Sequence, residues 1–226
     1  MARLVAISAT YGAGGSWVGP RVAERLGVPF LDRAIPVAVA NRLQVPVEVA
    51  EGFDDRAEGS LLARLLSSFR AADVTVPTAL PDEGPLAEDF RLATERVLFE
   101  QVEKGEGVIL GRASAYLLRN TAGVLRVRLD GPREERIRQA MALEGIAEEE
   151  ALRRLERVDR AHAAYAYLHY RAKMADPALY HLYLDSTALP LERCVELVVA
   201  AAEALPEGAP ERDVQGWRGS GSPRRG

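Results

Sequence analysis

Apolar and polar positions change rhythm twice within the first thirty residues. Leu4 to Ile7 is a continuous apolar run of strand length, and the glycine-rich stretch Gly12-Ala13-Gly14-Gly15 follows it. Beyond that, Val18, Val22 and Leu26 recur every four residues, the spacing of a helix with one buried stripe over residues 16–26. Gly27 stands where a C-cap glycine belongs. The same alternation runs on. Residues 29–32 read as a short strand, 34–43 as a helix with Pro36 in its first turn, and 59–69 as a leucine-rich helix. Residues 87–104 predict a helix, 107–110 a buried strand, and a short helix then reaches Arg119. A strand over 124–129 leads to a helix that Pro132 opens and Gly145 ends. A long arginine-rich helix spans 147–170, a strand 181–184 and an amphipathic helix 191–205.

Strands that alternate with helices give an α/β fold: a mostly parallel sheet with helices on both faces. The length of 226 residues fits one such domain over residues 1–205. Pro77, Pro81 and Pro85 interrupt residues 71–86, a flexible insertion that is either a flap over a site or a disordered loop. Residues 206–226, rich in Gly, Ser, Pro and Arg, are expected to be a disordered tail.

Composition narrows the class. No apolar run reaches the ~18 residues of a membrane span, and the N-terminus lacks the features of a signal peptide. The one cysteine, Cys194, lies in an apolar helical segment and reads as a buried thiol. A cytoplasmic protein without membrane partners is the expectation. A formal net charge of −4 argues against a nucleic-acid binder, whose footprint is a basic face. Only two of the 29 basic residues are lysines, Lys104 and Lys173, and neither adjoins the glycine stretch. Arginine is therefore the cation available to grip a phosphate, which its planar fork suits.

Strand, glycine loop and helix are together how α/β proteins build a phosphate site, with loop amides and a helix N-terminus turned toward the anion. Against the Walker A template G-x-x-x-x-G-K-[ST], Ala9 takes the first glycine's place and Gly14 the second's; Gly15 replaces the lysine and Ser16 keeps the hydroxyl. A glycine turn with packing duties alone reads the same way. Trp17, a large aromatic just after the loop, either crowds a nucleotide or stacks on it. His162 and His169 are seven apart without a third ligand nearby, which does not make a metal site.

Further motifs follow in order: Val28-Pro29-Phe30-Leu31-Asp32-Arg33, Val108-Ile109-Leu110-Gly111-Arg112, Leu129-Asp130-Gly131-Pro132-Arg133-Glu134-Glu135-Arg136, Arg157-Val158-Asp159-Arg160 and Leu184-Asp185-Ser186-Thr187. In this order and spacing the chain resembles the cytidylate kinase-like family of the P-loop nucleoside monophosphate kinases over roughly residues 3–203, and its lysine-less Y-G-x-G-G loop is similar to that of the branch called cytidylate kinase-like. The resemblance implies a P-loop NTPase-type three-layer sandwich with an arginine-rich helical lid over about residues 133–175. It implies ATP and Mg²⁺ as cofactors, with Gly12, Ala13, Gly14, Gly15 and Ser16 around the donor phosphates and Ser16 and Asp32 at the metal. Asp32, Arg157 and Arg160 take catalytic roles; Arg33, Gly111, Arg112 and Asp159 hold the acceptor. Ala113 departs from the family's G-R-D segment at the aspartate. Each of these residues also has a plainer reading: Asp32 as a helix cap, Arg112 as an ion-pair partner, and the arginines of residues 153–160 as a solvated face paired with glutamates. Three functions follow: a kinase acting on a small acceptor such as CMP, a kinase-fold nucleotide-binding or regulatory protein without efficient turnover, and a kinase of a non-nucleotide metabolite.

Overall fold

The computed structural model describes residues 4–31, 85–111 and 113–206. Asp32, Arg33, Arg112, the side chain of His169, the helices expected over 34–43 and 59–69, the stretch 71–84 and the tail 207–226 lie outside the described residues. Four strands, β1 (Leu4–Ala9), β2 (Gly107–Leu110), β3 (Val124–Asp130) and β4 (Leu182–Asp185), form a parallel sheet in the order β2-β1-β3-β4. Ile7 lies opposite Leu110 on one side and Val127 on the other. Phe30 adds one parallel bridge to Val108 beyond β2, so the strand expected over 29–32 shrinks to a single pairing among the described residues.

The helices between the strands are α1 (Gly15–Leu26), α2 (Pro85–Lys104), α3 (Ser114–Leu117), α4 (Arg133–Glu144), α5 (Glu148–Tyr170) and α6 (Leu191–Ala204). Residues 85 and 86 belong to α2 and not to a flexible insertion, because proline suits a first helical position, where its missing N–H has no partner to lose. Gly27 and Gly145 end α1 and α4 in the left-handed conformation that glycine adopts at little steric cost.

Strand residues alternate between two cores. Val5, Ile7, Val108, Leu125, Val127, Leu129 and Leu184 face α1 and α6, which supply Val18, Val22, Cys194, Val195 and Val198. Leu4, Ala6, Ile109 and Val124 face the other way, onto Ala93, Val97 and Leu98 of α2 and onto Ala115 and Leu118. Helices therefore cover both sheet faces and the molecule has three layers. Burial of Cys194 agrees with its sequence setting. The second face also carries two buried arginines. Arg126 donates through Nε to the Leu179 carbonyl at 2.8 Å, and Arg128 donates through Nη1 to Ser8 Oγ at 2.9 Å.

The chain leaves β1 toward β2 on one side and returns to β3 on the other, and in open parallel sheets ligands bind at the strand C-termini beside such a switch. Residues 10–14, which join β1 to α1, occupy that place. Above it, α4 and α5 form a pair with a small core of its own, Ile137, Ala140, Ala151 and Leu155, against which Tyr11 packs.

Asp130 fastens the C-terminal edge of the sheet. Its Oδ1 accepts from Thr10 Oγ1 at 2.8 Å and from the Gly131 amide at 3.0 Å; Oδ2 accepts from Arg128 Nη2 at 3.0 Å and from the Tyr183 hydroxyl at 2.9 Å. Burial pushes its pKa up, but Thr10, Arg128, Gly131 and Tyr183 outweigh that and hold it below the usual carboxylate range. A depressed folded-state pKa contributes stability that is present above the unfolded-state value and lost as pH falls through the folded one. Asp130→Asn, which leaves Arg128 buried without its counter-charge, is expected to lose about 3 kcal/mol at pH 7. Denaturant melts of both proteins across pH check this: the gap between them narrows below about pH 4, and a gap constant with pH would contradict it.

Candidate phosphate-binding site

The loop at the end of β1 is shaped by two left-handed glycines, Gly12 at φ 78° and Gly14 at φ 75°. A Cβ at Gly12 would stand 2.2 Å from the Arg136 carbonyl oxygen, and one at Gly14 2.7 Å from a Leu191 methyl. The glycines thus let α4 and α6 close onto the loop, so the packing role expected of a glycine turn is present. It is not the whole role. The Tyr11 amide donates to Asp159 Oδ1 at 2.9 Å, and the Ala13 amide to the Thr10 carbonyl at 3.1 Å. No described residue accepts from the amides of Gly12, Gly14, Gly15 or Ser16. Gly14 and Gly15 are buried, and Gly14 caps α1 without a side-chain hydrogen bond. Four unpaired donors at a helix N-terminus, two of them on buried residues, are what an anion would satisfy.

The cation missing at Gly15 has a steric explanation. A Cβ there would lie 2.6 Å from the Ala9 Cβ and 3.1 Å from Leu110 Cδ1. Where the template has glycine first and lysine seventh, this chain has alanine first and glycine seventh, and the Ala9 methyl fills the space a lysine stem would need.

The other expected site residues divide. Asp159 reaches the loop: besides the Tyr11 amide it accepts from Arg136 Nη1 at 2.7 Å, so it joins α5 to the loop and to α4. Gly111 sits beside the loop, its amide donating to the Ile7 carbonyl at 2.8 Å. Arg157 and Arg160 are not brought to the loop. Both are exposed on α5, away from its buried positions Ala151, Leu155, Val158 and Ala166, and neither has a partner among the described residues. Arg153 and Arg154 behave differently, binding Glu150 and, for Arg154, Glu144 as well. The paired-face reading holds for this second couple of arginines. Ser16 is exposed and places a hydroxyl at the start of α1. Among the described residues no three His, Cys, Asp or Glu side chains cluster as a metal site. A magnesium ion that takes most of its oxygens from phosphates and water asks only one or two of the protein, which Ser16 and the aspartate at residue 32 fit in kind.

Trp17 packs on the core shared by α1 and α6, and its ring lies under the Arg21 guanidinium, 3.7 Å from the ring centroid. His162, on α5, is accessible yet crowded; desolvation lowers its pKa against the pull of Asp159. Ala113 adopts the left-handed conformation, φ 52°, which asparagine, aspartate or glycine accepts more easily than alanine.

Residues to which the sequence assigns no site role complete the site. Tyr11 drives its ring into the α4–α5 core and donates its hydroxyl to Glu144 Oε2 at 2.9 Å. Arg136 donates through Nη1 to the Tyr11 carbonyl at 2.8 Å, Gln139 through Nε2 to the Gly12 carbonyl at 2.9 Å, and Ser186 through Oγ to the Ala13 carbonyl at 2.8 Å. Arg136 ends the motif that starts at Leu129, Ser186 lies within the Leu184-Asp185-Ser186-Thr187 motif, and Gln139 has only its place on the same helix as a signal.

Comparison with known proteins bears on the fold and the family. A crystal structure of an uncharacterized protein from Eubacterium ventriosum superposes with a TM-score of 0.61 at 15% identity, covering 89% of this chain and 98% of that one, which shows a shared fold. A gluconokinase from Sinorhizobium meliloti (TM-score 0.47, 17% identity, 90% and 93% covered) and a shikimate kinase from Acinetobacter baumannii (0.44, 15%, 88% and 94%) are more distant. The uronate isomerase of Corynebacterium glutamicum is 26% identical over 134 residues, 59% of this chain and only 25% of that protein. The sequence model of the cytidylate kinase-like family matches residues 4–188, and the chain belongs to that family.

Proposed function

We propose that the protein transfers a phosphoryl group from ATP–Mg²⁺ to a small acceptor, with a CMP-like nucleoside monophosphate as the first acceptor to test. The observation that carries this reading is the set of four unpaired amides at residues 12, 14, 15 and 16. They would hold the donor β-phosphate, and Ser16 Oγ and Asp32 would face the metal. Magnesium, when bound, draws off charge that develops on the transferred group. Gly111 follows β2 and bonds to β1 just before the loop, and Arg33 and Arg112 would bind the acceptor phosphate. Asp159 serves the acceptor only through the loop it holds. Arg157 and Arg160 are the spare cations of α5; a roll of this helix would bring them over the phosphates and exclude water from the reaction.

Gly15 favours a second reading, a nucleotide-binding protein of the same fold without efficient turnover. Ala113, in place of the family's aspartate, favours that second reading too, and a non-nucleotide acceptor accounts for it equally well. A panel of CMP, other nucleoside monophosphates and small polyols in a coupled assay separates the three.

Nucleotide binding itself is checked by calorimetric melting: ATP with Mg²⁺ at 100 times its Kd should stabilise the fold by about 2.7 kcal/mol, and an unchanged Tm would refute the loop assignment. Arg157→Ala is expected to lower kcat about 100-fold while leaving the ATP Kd near that of the parent; unchanged turnover removes α5 from the mechanism. Gly15→Lys alone should cost about 1–3 kcal/mol through overpacking against Ala9. Paired with Ala9→Gly it should regain most of that stability and bind ATP more tightly than the parent, as thermal melts and titration calorimetry would show.

A further inference from the structure

Three consecutive loop carbonyls are each held from outside the loop, and each by a different group. Arg136 holds the Tyr11 carbonyl, Gln139 that of Gly12, and Ser186 that of Ala13, at 2.8, 2.9 and 2.8 Å. The described chain has no cis peptide bond. In a trans peptide the carbonyl and the following N–H point in opposite directions across one rigid plane. Fixing a carbonyl therefore aims the next residue's amide. Holding Tyr11 C=O turns the Gly12 amide to the opposite side, and holding Ala13 C=O does the same for Gly14, two of the four amides left without a partner. The Gly12 carbonyl aims the Ala13 amide, which closes the turn onto Thr10. Left-handed glycines alone would let these planes flip, because glycine tolerates either orientation.

We infer that Arg136 and Ser186 are positioning residues that orient loop amides for an anion, and that Gln139 supports them by fixing the turn between the two. Arg136 is itself paired with Asp159 at 2.7 Å, so what it gives the loop is the direction of the Tyr11 peptide and not a net charge in place of the lysine. The inference rests on the reading that the loop takes a phosphate, and it explains how a loop without lysine does so.

The test uses ¹⁵N-labelled full-length protein titrated with inorganic pyrophosphate. In the parent, the amide protons of Gly12, Gly14, Gly15 and Ser16 should move downfield together as pyrophosphate is added. Gln139→Ala and Ser186→Ala should each weaken pyrophosphate binding about tenfold, the equivalent of one net hydrogen bond. At saturating pyrophosphate Ser186→Ala should lose the Gly14 shift and keep that of Ser16. Gln139→Glu, which keeps the side chain's length but cannot donate to a carbonyl, should match Gln139→Ala; Gln139 lies on a half-exposed helical position, so both variants should fold. A merely structural role would lower Tm without altering which amides respond. Variants that bind as tightly as the parent with the same four shifts would overturn the positioning role alone. A parent whose loop amides ignore pyrophosphate would overturn the phosphate reading beneath it.

Discussion

The structure depends on how the peptide planes of residues 11–14 are held. A strand that ends at Ala9 and a helix that starts at Gly15 leave few residues in which to reverse direction, and those residues must bury polar backbone beside two cores. The carbonyls resolve this by bonding to α4 and to the turn after β4, and two amides bond to Asp159 and Thr10. What remains is a one-sided surplus of donors. Because buried polar groups are ordinarily satisfied, the unpaired amides of buried Gly14 and Gly15 are the clearest functional signal among the described residues.

The same grip connects the loop to the helical pair above it. Arg136 and Asp159 form an ion pair at 2.7 Å, and both touch the Tyr11 peptide, whose side chain lies in the α4–α5 core. A displacement of α5 would have to break the Asp159 contact with the loop. Loop geometry and helix position are thus coupled through one carboxylate. Arg157 and Arg160 are exposed on that helix and make no contact with the loop while the Asp159 contact is made.

Much of the fold was legible in the sequence because it depends on local rules. Period-four apolar residues, Gly27 and Gly145 at helix ends, and Pro132 before α4 mark elements that the structure reproduces within a residue or two. The loop was legible for the same reason. The strand read over residues 29–32 is only one bridge from Phe30 to Val108 among the described residues, because a short apolar run carries no mark of how many of its residues find a partner. Nothing in the sequence marks Arg126 and Arg128 as buried, yet the Leu179 carbonyl, Ser8 and Asp130 pair them inside the sheet edge. The grip on the loop was invisible because its members lie 125, 127 and 173 positions from the carbonyls they hold. The exchange of alanine and glycine at residues 9 and 15 was visible as two departures from a template, and only the 2.6 Å separation showed that they are one compensated change.

The most direct measurement is a crystal structure grown with ADP and Mg²⁺. The account places the β-phosphate oxygens within hydrogen-bonding distance of the amides of Gly12, Gly14, Gly15 and Ser16, with the Arg136, Gln139 and Ser186 contacts intact. A nucleotide bound elsewhere, or phosphates that leave those four amides facing only water, would contradict it.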